Sequence, residues 1–242
     1  MNFQKFCFAT LVFATMIAVG PVSATCSNAT LIGVWGYIVG AAVGQFTADG
    51  KGNLTNGSQT VSQNGVIHTQ TFTGSYSLAT NCTGHVTVHI AGGGTVTANI
   101  VADDGNKGFQ IIDTGGIGGG VAAGFSLAQG VVTCGFTGKK ATFAANLIGK
   151  IPAKGAVAYV AQVILDGNGN VSGAGTFDVN GTIVTAPFTG TYTESANCTG
   201  TAQFTPSGFS RLNFHFVVVN AGKEILLLET DTNTVVGGYM QQ

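Results

Sequence analysis

Apolar and polar side chains alternate along most of the chain, in short runs separated by clusters of Gly, Asn and Asp. Alternation with a period of two is typical of β-strands that bury one face. The second half of the chain is the easier half to divide into strands. It predicts strands at 142–149, 156–165, 170–179, 182–193, 201–205, 211–219, 224–230 and 235–240. Short turns join them, among them Asp166-Gly167-Asn168-Gly169 and Asn180-Gly181, which predicts antiparallel hairpins.

The two faces of these strands differ in character. On the fourth strand Val184, Ala186 and Phe188 share one face with Tyr192, and the opposite face carries threonines. One apolar face per strand, in eight strands joined by short turns, predicts a closed up-and-down barrel. The seventh strand is an exception, because residues 225–228 (Ile-Leu-Leu-Leu) make both of its faces apolar. We expect another part of the chain to cover its outer face.

The whole pattern occurs twice. Phe72-Thr73-Gly74-Ser75-Tyr76, followed by Asn81-Cys82-Thr83-Gly84, recurs as Phe188-Thr189-Gly190-Thr191-Tyr192 and Asn197-Cys198-Thr199-Gly200. We therefore predict an all-β protein made of two tandem antiparallel eight-stranded β-barrels that pack together. The first repeat spans residues 25–130 and the second spans residues 131–242.

Residues 1–24 have the pattern of a signal peptide. A single charge at Lys5 precedes an apolar run over residues 6–20, and Val22-Ser23-Ala24 supplies the small residues that a signal peptidase requires. The apolar run is shorter than the roughly 20 residues that span a bilayer as a helix. We expect cleavage after Ala24 and a secreted protein, periplasmic or extracellular.

Four cysteines remain after that cleavage, namely Cys26, Cys82, Cys134 and Cys198. An even number of cysteines in an exported chain indicates disulfides, and four allow three pairings. The repeat favours one bridge in each unit, Cys26–Cys82 and Cys134–Cys198.

Composition narrows the classes of partner. Only 8% of the residues are charged and the formal net charge is −1. A chain with so few Lys and Arg has no basic surface for nucleic acid or for anionic lipid. We expect neither nucleic acid nor, after signal cleavage, a membrane as partner, and the sequence does not indicate an oligomeric state.

The repeated motifs carry a family resemblance. The set of signal peptide, Asp-Gly-x-Gly-Asn turn, Phe-Thr-Gly-x-Tyr and Asn-Cys-Thr-Gly resembles an uncharacterised group of secreted bacterial β-barrel repeat proteins, over nearly the whole mature chain. The meander is also similar by analogy to the calycins, the lipocalin and avidin type of ligand barrel. Gly33-Val34-Trp35 resembles the lipocalin Gly-x-Trp. This resemblance implies a calycin-like barrel that could hold a ligand.

Candidate chemistry outside the barrels is sparse. His85 and His89 share a strand face, but it is opposite the apolar face and lacks a third ligand. The two Asp-Gly-x-Gly-Asn loops each bring one carboxylate, which fits a tight turn better than a calcium site. Asp113 and Glu229 are repeat-matched acids without an evident partner. We therefore expect no enzyme activity, no catalytic residue, no metal and no cofactor.

The barrel interior is the remaining candidate for a site, because eight strands leave room for side chains or for one small ligand. On the fourth strand the first repeat has His68 and Gln70 where the second has Val184 and Ala186. It also has Ala98, Ile100 and Ala102 where the second has Phe214, Phe216 and Val218. A pocket in the first repeat would have as its residues Trp35, His68, Gln70, Phe72 and Tyr76.

Three functions follow from these patterns. The first is a secreted, non-enzymatic barrel that binds a small apolar ligand inside the first repeat. The alternative is a structural or adhesive protein of the cell surface or extracellular matrix. An outer-membrane barrel of sixteen strands is the third, and the threonine-bearing outer faces disfavour it.

Overall fold

The computed structural model describes residues 25–103, 107–115, 122–130, 134–136 and 138–242. The predicted signal peptide therefore lies outside the described residues. The strands, numbered in chain order, are β1 Gly33–Val39, β2 Ala42–Ala48, β3 Asn53–Gln63, β4 Val66–Leu78, β5 Thr83–Ile90, β6 Thr95–Ala102, β7 Gly108–Gly115, β8 Ala123–Ala128, β9 Ala141–Ile151, β10 Gly155–Leu165, β11 Asn170–Val179, β12 Thr182–Glu194, β13 Thr199–Pro206, β14 Leu212–Val219, β15 Glu224–Glu229 and β16 Val235–Gln241.

These strands close into two antiparallel barrels. Strands β1 to β8 form the first, called barrel 1, and strands β9 to β16 form the second, called barrel 2. Each strand pairs with its neighbours in sequence, and the first strand of each barrel pairs with the last. The prediction of two tandem eight-stranded barrels is confirmed. The strand limits predicted for the second repeat agree with the structure to within two residues.

The predicted disulfide pairing is confirmed as well. Cys26 bonds to Cys82 in barrel 1 and Cys134 bonds to Cys198 in barrel 2. Disulfides form and persist in oxidising compartments, so the two bridges indicate a non-cytoplasmic environment. No helix in the described residues is long and apolar enough to cross a membrane.

One end of barrel 1, called here the plugged end, is covered by the 3-10 turn Asn28–Leu31. The Tyr76 hydroxyl donates to the Asn28 carbonyl oxygen at 2.9 Å, and the Leu78 amide donates to the Asn28 side-chain oxygen at 2.8 Å. The Trp35 indole donates to the Leu31 carbonyl oxygen at 2.7 Å. These bonds fix the turn across the barrel, with Leu31 buried beneath it.

The opposite end of barrel 1, called the rim end, carries the hairpin turns at residues 40–41, 64–65 and 91–94. The β1–β2 hairpin is short here, because each of its strands has 7 residues where β9 and β10 have 11. Gly40 turns the chain with a positive φ of 53°, which glycine adopts without steric cost. The wall of barrel 1 is therefore lower on this side than the matching wall of barrel 2.

The two barrels pack through an apolar cluster. Ile38 and Val43 of barrel 1 meet Val217, Val219, Leu226 and Leu228 of barrel 2, with Phe125, Leu127 and Tyr239 at the edges. Leu226 and Leu228 are fully buried and project from the outer face of β15. The prediction that another part of the chain covers the outer face of this seventh strand is confirmed.

Hydrogen bonds surround the apolar cluster. Thr60 Oγ1 lies 2.7 Å from His215 Nδ1, and burial lowers the pKa of that histidine. The Ser62 hydroxyl donates to the Thr234 carbonyl oxygen at 2.6 Å, and the Asn233 amide donates to the Gly65 carbonyl oxygen at 2.8 Å. An interface with an apolar centre and a satisfied polar border fixes one relative orientation of the barrels.

Candidate functional site

Barrel 1 is hollow. Its cavity has a volume of about 750 Å³, within the range of small-molecule sites. The lining is mostly apolar and comes from inward-facing side chains of β1 to β7 and from the 3-10 turn Asn28–Leu31 at the plugged end, called here the plug. The main contributors are Leu31, Tyr37, Val39, Phe46, Leu54, Gln59, Val61, Gln70, Phe72, Tyr76, Val86, Val88, Ile90, Val96, Ala98, Ile100, Phe109, Ile111 and Asp113.

The same positions in barrel 2 carry larger side chains. Phe214 and Phe216 on β14 replace Ala98 and Ile100 of β6, and both phenylalanines are buried. The Phe214 ring lies 5.0 Å from the Phe204 ring, measured between centroids. Aromatic rings thus occupy the interior of barrel 2 where barrel 1 holds space.

A chain of polar side chains crosses one wall of the cavity. The Tyr37 hydroxyl donates to Gln59 Oε1 at 2.6 Å, and Gln59 Nε2 donates to Gln70 Oε1 at 2.9 Å. Burial raises the pKa of Tyr37, which keeps its hydroxyl neutral. Because the Gln70 oxygen is already used, its amide N–H groups are the end of the chain that can donate to a ligand.

Barrel 2 completes the cavity wall at the rim end. Ile148 and Gly149 of β9, with Val235 and Gly237 of β16, line the cavity beside Gly40. They lie where the short β1–β2 hairpin leaves the wall of barrel 1 low. Ile148 is 66% exposed, which is unusual for so large an apolar side chain. The cavity is therefore built by both barrels.

Asp113 on β7 also lines the cavity at the rim end. Its Oδ1 accepts the Gly115 amide at 2.9 Å. It pairs with Ala98 across β6 and β7, as Glu229 pairs with Phe214 across β14 and β15. Both barrels thus place an acid at the same inward position, half-buried in barrel 1 and fully buried in barrel 2.

The structure brings together three of the five residues that the sequence suggested for a pocket. Gln70, Phe72 and Tyr76 line the cavity. His68 has the same inward parity but lies at the end of β4, where it is exposed and outside the lining. Trp35 is buried, and its indole N–H donates a hydrogen bond to the Leu31 carbonyl oxygen, so it supports the closed end and not the cavity wall.

Sequence reasoning missed Tyr37, Gln59 and the barrel 2 wall. Tyr37 follows Trp35 by two residues and so shares its face, and Gln59 shares a face with Val61. The alternation of side chains along each strand could therefore have predicted both residues. It could not have predicted Ile148, because the contribution of Ile148 depends on how the barrels pack together.

The other motifs have structural explanations. The Asp49 carboxylate accepts the Lys51 and Asn53 amides at 2.7 and 2.9 Å and the Asn53 side chain at 2.6 Å. These bonds hold the pKa of Asp49 low, at about 2. Asp166 makes the matching bonds in barrel 2. His85 and His89 are exposed, and the described residues contain no cluster of three metal-ligating side chains.

Comparisons with known proteins add little. No protein-family model matches the sequence, and no curated protein matches it. Among solved structures, this chain is similar to the Myxococcus xanthus hemagglutinin, crystallised in complex with a3,a6-mannopentaose. The identity is 16%, the alignment covers 86% of this chain and 91% of that chain, and the TM-score is 0.18. A likeness at this level carries no argument about this protein.

Proposed function

We propose that this protein is a secreted, non-enzymatic binding protein that holds a small, largely apolar ligand inside barrel 1. The observation that carries the proposal is the contrast between the two copies of one fold. Barrel 1 has a cavity of about 750 Å³ where barrel 2 has aromatic rings. A protein interior normally packs without such voids, so a cavity beside a copy that carries aromatic rings at the matching positions supports a ligand site.

The lining favours an apolar body with one polar group. Aromatic and aliphatic side chains form most of the wall, and the Tyr37–Gln59–Gln70 chain supplies fixed hydrogen-bonding groups on one side. A few oriented polar groups within an apolar wall are typical of small-molecule sites. The predicted signal peptide and the two disulfides support secretion.

The absence of enzyme activity is part of the proposal. Acid–base or nucleophilic catalysis needs a second group within hydrogen-bond reach of the first. The Asp113 carboxylate accepts a backbone amide at 2.9 Å and has no further side-chain partner among the described residues. The lining therefore supports holding a molecule better than transforming it.

A structural or adhesive role is the second candidate. The outer face of barrel 2 carries the exposed apolar side chains Ile148, Val160 and Ile183 on β9, β10 and β12. Exposed apolar groups on the outer face of a barrel favour contact with another surface. This role does not require the cavity, so a substitution that fills the cavity would leave it intact.

Filling the cavity tests the proposed function. We expect the neutral fluorescent probe N-phenyl-1-naphthylamine to bind the wild-type protein and to brighten there. Ala98→Phe places in barrel 1 the ring that Phe214 supplies in barrel 2, and should weaken binding about tenfold or more, which corresponds to about 1.4 kcal/mol. Fluorescence titration measures the dissociation constant.

The matched control is Val101→Phe, which adds the same ring on the outer face of the same strand, where Val101 is 51% exposed. It should bind the probe as the wild type does. Ala98→Leu, a smaller filler, should give an intermediate loss and guards against misfolding of Ala98→Phe. Equal probe binding by wild type and both Ala98 variants would refute a ligand site in barrel 1.

A further inference from the structure

We propose that the cavity selects its ligand by charge, accepting an uncharged or cationic amphiphile and rejecting one with a carboxylate head. This inference rests on the proposed function and concerns the same cavity. It follows from the charged groups that the wall contains, from where they lie, and from the partners that a buried anion requires.

Among the described residues, the wall holds one charged side chain, Asp113, and no Lys, Arg or His. The Asp113 carboxylate faces the cavity at the rim end and forms no ion pair among the described residues. Lys150 lies on the outer face of β9 two residues beyond Ile148, but it is not part of the cavity wall. Asp113 is therefore the one formal charge on the part of the wall that the structure describes.

A carboxylate ligand would enter this cavity without a counter-ion. Burying an anion costs several kcal/mol unless a cation or several hydrogen-bond donors receive it. Proteins that bind carboxylates usually present Arg or Lys, and the described wall residues include neither. Asp113 adds repulsion between like charges, whereas it would attract an amine.

The polar groups also give the ligand a direction. Tyr37 lies two residues from the rim end of β1, and Asp113 lies two residues from the rim end of β7. Toward the plugged end the wall is formed by Leu31, Leu54 and Phe109, which are apolar and buried. An amphiphile fits with its tail against the plug and its head at the rim end, beside Asp113 and the free amide of Gln70.

Three straight-chain ligands of equal carbon number test the inference. Dodecylamine, dodecanol and dodecanoate each have twelve carbons in one straight chain, and at pH 7.5 their head groups are cationic, neutral and anionic. Each is titrated below its critical micelle concentration, or for dodecanol below its solubility, against the protein loaded with N-phenyl-1-naphthylamine. We expect the amine and the alcohol to displace the probe, and dodecanoate to be weaker by about tenfold or more.

Substitution of Asp113 assigns the effect to one group. Asp113→Asn should narrow the gap between amine and dodecanoate to less than about threefold, and Asp113→Lys should favour dodecanoate. The matched control is Asp178→Asn in barrel 2. It makes the same change in net charge at an aspartate whose carboxylate likewise accepts a nearby glycine amide, that of Gly181 at 2.8 Å. This control should keep the wild-type preference.

The outcomes separate the two proposals. If the three ligands displace the probe equally, and Ala98→Phe weakens binding of the probe, the cavity binds ligands but charge selection is wrong. The same conclusion follows if Asp113→Asn leaves the preference unchanged. If none of the three displaces the probe and the probe itself is insensitive to Ala98→Phe, the proposed function fails as well.

Discussion

Asp113 and Glu229 show how one position in a repeated fold takes two roles. Both are acids on the inward face of the seventh strand of their barrel. Asp113 borders a cavity, whereas Glu229 is 1% exposed and its Oε2 has no hydrogen-bond partner among the described residues. Burial, together with the nearby Asp231 carboxylate, raises the pKa of Glu229 to about 7. Such a group opposes folding when it is ionised.

Glu229→Gln should therefore stabilise the protein at high pH. Below about pH 4.5, the ordinary pKa of the group, Glu229 is protonated in both the folded and the unfolded chain, and the substitution gains nothing from charge. Between pH 4.5 and pH 7 the wild type loses stability, because only the unfolded carboxyl ionises freely. Over this pH range the free energy of unfolding of the wild type falls by about 3 kcal/mol.

Urea unfolding at pH 4.5 and pH 8 measures this difference. The free energy of unfolding of Glu229→Gln should exceed that of the wild type at pH 8 and approach it at pH 4.5. Glu224→Gln, at the partly exposed start of the same strand, should change little at either pH. A Glu229→Gln effect of the same size at both pH values would mean that ionisation of Glu229 is not the cause.

At the scale of a single strand, β3 differs from its counterpart β11 by one residue. Matching residues are 117 apart at Asp49 and Asp166 but 116 apart at Gly57 and Gly173. The pairing of β3 shifts between Leu54 and Gly57, and Asn56 there has a positive φ of 52°. The extra residue forms a β-bulge, which bends the strand. It lies next to Gly57, on which the Phe72 ring packs.

The bulge needs a residue that tolerates a left-handed conformation. Asn56→Val should lower the free energy of unfolding by about 1–2 kcal/mol, because a β-branched side chain is strained there. Asn56→Gly should leave it nearly unchanged, because glycine adopts positive φ freely. Urea unfolding of both variants checks this. A valine variant as stable as the glycine variant would show that the bulge does not depend on this conformation.

Strands and turns were the part of the fold that the sequence could predict. In β12 the alternation of apolar and threonine residues gives the inward face, and Asn180-Gly181 gives the turn before it. Parity also placed Gln70 and Phe72 inward. Alternation does not show how far from the barrel end a residue lies. His68 is for this reason predicted as a wall residue, although it lies exposed at the end of β4.

At the scale of the whole molecule, the duplication contributes to the candidate site. The outer face of barrel 2 packs against β1 and β2, and from there Ile148 and Val235 reach the cavity of barrel 1. The apolar residues 225–228 predict an interface from the sequence alone. They do not predict which surface packs against it. How the barrels pack depends on the complementary shapes of two folded surfaces. A local pattern of apolar residues does not encode those shapes.

The packing of the barrels also explains why one barrel can remain hollow. The disulfide, the plug and the buried interface stabilise barrel 1 from its outside and its closed end. A void inside a barrel costs packing contacts. Support from barrel 2 offsets part of that cost, and a bound ligand would restore the contacts.

Native mass spectrometry tests the central claim most directly, on protein purified under non-denaturing conditions from the cells that produce it. The account predicts a mass above that of the polypeptide with two disulfides, by one small molecule. That molecule should be lost from Ala98→Phe and kept by Val101→Phe. A wild-type protein that shows the bare polypeptide mass, and gains no mass with dodecanol or dodecylamine, would contradict a binding function for barrel 1.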